Sequence, residues 1–226
     1  GANPMVEQVK TEDVLAYYTR FATTYQVWDE TLVDSTTMFA NGKLAFYFGP
    51  AWRMYNLAEM NPNLNYGVAK VPQLPTLTGV PPEEIDSEAD LTNIHWASYW
   101  VEGVSSKSKN QKEAWKFMEY LASKESLEKM YAAASQIRVF GELYPRKSMA
   151  GMISDNEKIK PFVSVADNAS GWYLASRTFD TGLNDEMMKY FGDAVNETLK
   201  TKNAESATKT LRSGIDQLKS RYKLTE

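Results

Sequence analysis

The chain has 226 residues, 43% of them apolar, enough to bury one sizeable core or two small ones. Its 25 basic and 29 acidic side chains leave a formal charge of −4, with no basic stripe to engage nucleic acid or anionic lipid. With no cysteine and one histidine, His95, disulfides, thiolate metal sites, thiol nucleophiles and His-pair metal sites are excluded.

No apolar run approaches the roughly 20 residues of a membrane span, and Gly1 to Met5 lack the basic start and apolar core of a signal peptide. After a cap at Thr11, Val14, Tyr17, Tyr18 and Phe21 recur at helical spacing and predict an amphipathic helix. Lys43 to Phe48, stopped by Gly49-Pro50, reads as a buried strand, and Tyr66 to Val71, ending at Pro72, as a second. Residues 72–92 combine four prolines with five carboxylates and read as a solvated loop. The acidic spacing lacks the central glycine of a calcium loop.

Beyond it, residues 94–101 alternate as a strand with aromatics on both faces, which makes His95 structural rather than catalytic. Asn110 with Glu113 resembles a capping box opening a helix through Ala114, Phe117, Met118 and Leu121. Leu127, Met130, Tyr131 and Ala134 repeat the helical stripe. Two further helices close the chain, one on Met188, Phe191, Val195 and Leu199, the other on Ala207, Leu211, Ile215, Leu218 and Tyr222. Lys200 to Asn203 link them. Strands mixed with such helices indicate an α/β or α+β domain.

The chain lacks the Gly-x-Ser-x-Gly nucleophile elbow and the glycine-rich loops that cradle phosphates. Paired carboxylates for glycoside hydrolysis remain an open alternative, since their required separation is spatial. The aromatic supply is the positive signal: Trp28, Trp52, Trp96, Trp100, Trp115, Trp172 and thirteen tyrosines. Flat rings suit the C–H face of a pyranose, while tyrosine, arginine and asparagine at a rim hydrogen-bond its hydroxyls. Core packing accounts for most of these rings, Trp115 among them. Trp52 and Trp172, at a strand exit and in a Ser-Gly-Trp-Tyr loop, are the better ligand candidates.

Phe39-Ala40-Asn41-Gly42-Lys43-Leu44-Ala45, followed by Gly49-Pro50-Ala51-Trp52, resembles the F-x-x-G-K-x-A … G-x-W stretch of family 1 extracellular solute-binding proteins. That family includes maltose-binding protein. Asn65 to Pro72 is similar to a strand leaving its C-terminal lobe, and Ser106-Lys107 leading to Glu113-Ala114 and Phe117 resembles a later helix start. Ser170-Gly171-Trp172-Tyr173 and Arg177-Thr178 resemble its late aromatic ligand site.

The resemblance implies an α/β, periplasmic-binding-protein-like fold of type II, of which this chain is the C-terminal part. Residues 1–69 and 136–226 would build the C-terminal lobe, and 70–135 the crossover segment associated with the N-terminal lobe. It implies an extracytoplasmic subunit of a bacterial ABC importer, without cofactor, metal or catalysis. Such a subunit binds a sugar between lobes and delivers it to the permease. The ligand residues carried over are Trp52 and Arg53, then Trp172, Tyr173 and Arg177. Tyr99 and Trp100 join them from strand position alone. Other readings are a glycosidase and a protein-interaction module. An incomplete lobe is also expected to fold residues 94–134 back onto its own core or to self-associate through them.

Overall fold

A computed structural model describes residues 10–29, 31–75, 84, 87, 91–171 and 182–224. In chain order the elements are α1 (Thr11–Thr23), α2 (Ser35–Ala40), α3 (Arg53–Met60), β1 (His95–Trp96), α4 (Gln111–Leu121), α5 (Lys124–Ser135), α6 (Lys160–Val165), β2 (Ala169–Ser170), α7 (Leu183–Thr201) and α8 (Ala204–Arg221). Short 3-10 turns occupy Lys147–Met152 and Ala166–Asn168. Contacts group the chain into two units, one of Gly1–Val33, Leu74–Thr92 and Gly171–Glu226, the other of Asp34–Gln73 and Asn93–Ser170.

In the first unit, α7 and α8 form a helical hairpin against which α1 packs. Lys202 makes the turn in the left-handed region (φ 57°), with its N–H on the Thr198 carbonyl at 2.8 Å. Asn203 then caps α8 by accepting from the Ser206 N–H at 3.0 Å. Leu15, Ala194, Ala207 and Leu211 form one buried cluster, and Met187 with Leu218 another. Full burial of a side chain such as Leu218 contributes about 1.5–3 kcal/mol.

The expected helix at the start of the chain is present, but its buried side is Leu15 and Thr19. Val14, Tyr17, Tyr18 and Phe21 lie exposed, with Tyr17, Phe21 and Tyr25 in edge-to-face contact along the surface. Thr19 tolerates burial because its hydroxyl donates to the Leu15 carbonyl at 2.8 Å. Lys10, not Thr11, precedes the helix, without a side-chain cap. In α7 the buried line is Met187, Ala194 and Thr198, one residue away from the predicted Met188 stripe.

In the second unit, α3 buries Met54 and Leu57. Met54 joins Phe140, Ile153 and Ile159 in a core flanked by Tyr55, Tyr66 and Tyr131. The strands expected at 43–48 and 66–71 are absent: both stretches run without a ladder partner, and Phe46 is 84% exposed. The strand expected over 94–101 shrinks to His95–Trp96, paired in parallel with Ala169–Ser170. A strand exists only where a partner supplies the ladder, so apolar runs without one stay extended coil. Asn110 precedes α4 as expected, but its side chain does not cap; its N–H donates to the Ser108 hydroxyl at 3.2 Å instead. Within residues 94–134, Trp96, Tyr99, Trp100, Trp115 and Phe117 are exposed, whereas His95 and Leu127 are buried and Tyr131 packs against the Met54 core.

Candidate functional site

Pro50 begins the turn that opens α3, where the Arg53 N–H donates to its carbonyl at 3.0 Å. Met54 and Leu57 anchor the inner face of the helix, which leaves Trp52 at its mouth with 39% of its surface exposed. The Arg53 guanidinium lies over the Trp52 ring, 4.4 Å from its centroid. That distance is within cation–π range. Arg53 Nη1 also donates to Asn56 Oδ1 at 3.3 Å. An aromatic face and a fork of N–H donors thus stand together, a pairing able to stack on a flat ring and donate to its substituents.

Asp34 lies within charge reach of this arginine. Its carboxyl is held below the ordinary value first by the Thr37 hydroxyl, then by the Thr37 N–H, with Arg53 the smallest contributor. Further along the inner side of α3, burial raises the Tyr55 phenol, and the Glu142 carboxylate adds to the effect. Tyr55 donates to the Gly141 carbonyl at 3.4 Å, and Arg138 lies 5.0 Å over its ring. Burial likewise raises Tyr66, whose ring receives the Lys158 ammonium at 4.2 Å. These two tyrosines are engaged in packing and serve the core.

Of the residues singled out from the sequence, Trp52 and Arg53 are brought together. Tyr99 and Trp100 follow β1 in extended chain of the same unit, 75% and 86% exposed. Trp172, Tyr173 and Arg177 lie outside the described residues. His95 is buried, with Nε2 3.0 Å from Asn93 Oδ1. Asn56 was missed, although its place three residues after Arg53 is the helical spacing at which side chains meet.

Among the described residues no cluster of His, Cys, Asp and Glu could hold a metal ion, and no helix is long and apolar enough to cross a membrane. A depression of about 740 Å³ along α8, lined by Ser213, Asp216, Gln217, Ser220 and Arg221, offers no aromatic ring.

A family model described as bacterial extracellular solute-binding protein matches residues 3–160. The match covers well over half of the 226 residues, and the chain belongs to that family. Its members are extracytoplasmic binders, in general without enzymatic activity. No curated protein matches the chain.

Proposed function

We propose that the chain is part of the solute-binding component of an ABC importer, that its solute is a sugar or oligosaccharide, and that the loaded protein delivers it to membrane permease subunits. The observation that carries the sugar reading is the exposed Trp52 ring with Arg53 against it. A pyranose presents a C–H face for the ring and hydroxyls for the guanidinium edge. Tyr99 and Trp100 supply further exposed aromatic surface in the same unit. Trp172, Tyr173 and Arg177 complete the proposed ligand set by resemblance.

The lobe division at residues 69 and 135 belongs to the same proposal, with closure of the two lobes on the solute as the mechanism. So do location in the periplasm or, as a lipoprotein, on the cell surface, and self-association of the isolated chain through its exposed aromatic segment. Tryptophan fluorescence titrated with a panel of mono- and oligosaccharides tests the ligand class. A saturable change with one of them is expected. Silence across the panel, with a response to amino acids or peptides, assigns another solute class.

A further inference from the structure

The first position of a helix is a poor place for a cation, because the aligned peptide dipoles put partial positive charge at that end. Arg53 occupies it in α3. The residue before it, Trp52, makes no side-chain cap hydrogen bond, where Ser, Asp or Asn would take an open N–H. The same unit caps α2 with Asp34 and α5 with Ser123 through side-chain oxygens. Residues that oppose the element they open are expected where function, rather than folding, selects them.

What holds Arg53 in place is visible around it. Its guanidinium lies against the Trp52 ring, and Asn56, one turn on, accepts from Nη1 at 3.3 Å. Arg53 and Asn56 are both half-buried. An arginine has several rotatable bonds to order, and a single ring contact at a partly exposed site is a weak restraint. The Asn56 oxygen gives the guanidinium a second point of attachment and fixes its plane.

We infer that Asn56 is a positioning residue of this site. By accepting from Arg53 it holds the guanidinium against the indole, which sets the Trp52 ring and the remaining N–H edge of Arg53 in place before a solute arrives. Order set in advance is order that binding does not have to impose. The use of this platform for sugars rests on the function proposed above; its geometry does not, and is open to measurement without any sugar.

The probe is acrylamide, a neutral collisional quencher. The Trp52 contribution is isolated by comparing each variant with the same variant carrying Trp52→Phe. The guanidinium shields part of the Trp52 ring, so removing it uncovers indole surface. Quenching of Trp52 is therefore expected to rise in Arg53→Ala, and by a similar factor in Asn56→Ala. Asn56→Asp, which keeps an acceptor for the guanidinium, is expected to retain the low value.

If circular dichroism shows that Asn56→Ala is unfolded, Asn56→Leu removes the acceptor while keeping side-chain bulk and is read in its place. Unchanged quenching in the Asn56 variant, with a rise in Arg53→Ala, overturns the role of Asn56. Unchanged quenching in Arg53→Ala overturns the platform itself. A sugar panel without response counts against the sugar reading and leaves the quenching result standing.

Discussion

Trp52 stands at the mouth of a helix whose burial is carried by Met54 and Leu57, and it keeps 39% of its own surface exposed. Its truncation is therefore expected to remove the proposed ligand surface at little cost to the core. Trp52→Ala is expected to weaken sugar binding by about 1–3 kcal/mol with an unchanged melting temperature. Titration calorimetry and a thermal scan on the same sample check this, and normal binding with early unfolding would make Trp52 a packing residue.

Two glycines of the helical hairpin make a sharper contrast. A Cβ at Gly214 would run into the Tyr190 ring, whereas one at Gly192 would meet nothing within 4 Å. Gly214→Ala is expected to destabilise by roughly 1–3 kcal/mol through overpacking. Gly192→Ala is expected to stabilise by about 0.5–1 kcal/mol, since it removes helix-interior glycine without a clash. Urea midpoints of the two variants separate the cases. At this scale the sequence marked Trp52 as a candidate, because Gly49-Pro50 breaks the chain just before it. It did not disclose Asn56, whose role depends on where the arginine side chain turns.

The five longer helices were legible, α2, α3 and α6 were not, and of the expected strands only the one around β1 formed, for a reason visible in α1 and in residues 43–48. The spacing of Val14, Tyr17, Tyr18 and Phe21 is a local property, and a helix did form over Thr11–Thr23. Which face it buries is decided by α7 and α8, far along the chain, and they take Leu15 and Thr19 instead. For residues 43–48 the period itself needed a distant partner, and no ladder reached it. The closing pair of helices was nearly complete in the sequence because its turn is also local, with Lys202 and Asn203 falling inside the predicted link.

Caps are local as well, and they give the chain an acid response. Asp34 caps α2 and is held below its ordinary value of 3.8, first by the Thr37 hydroxyl. A carboxyl whose folded value is depressed contributes stability that is complete above its unfolded value and is lost as pH falls through the folded one. Glu125 and Glu205, whose ordinary value is 4.5, are depressed chiefly by hydrogen bonds from Lys129 and Lys209, so they act in the same direction. Stability is therefore expected to fall as pH drops below 4.5 and to keep falling below 3.8. Asp34→Asn keeps a capping oxygen that does not titrate, so its urea midpoint should decline less over that range. An equal decline would show that the Asp34 cap is not among the groups responsible.

For the molecule as a whole, the feature that needs a partner is the chain around β1. Among the described residues the β1–β2 pair is two strands of two residues each with no third strand beside it, and a two-stranded sheet is marginal alone. The chain leaving β1 then carries Tyr99, Trp100 and Val101, all more than 70% exposed. Contiguous apolar surface beside an open strand edge is the usual ground for association. At roughly 25 cal/mol per Å², covering a few hundred Å² of such surface offsets a substantial part of the cost of bringing two chains together. Multi-angle light scattering of the isolated chain is expected to show a mass that rises with concentration. Tyr99→Lys with Trp100→Lys should return it to the monomer, since charge on the edge and loss of the rings act together. Both substitutions fall on exposed side chains, so the fold itself should be untouched, which circular dichroism checks. A monomer at every concentration would leave this segment as surface that tolerates exposure, and would remove self-association from the proposed partners.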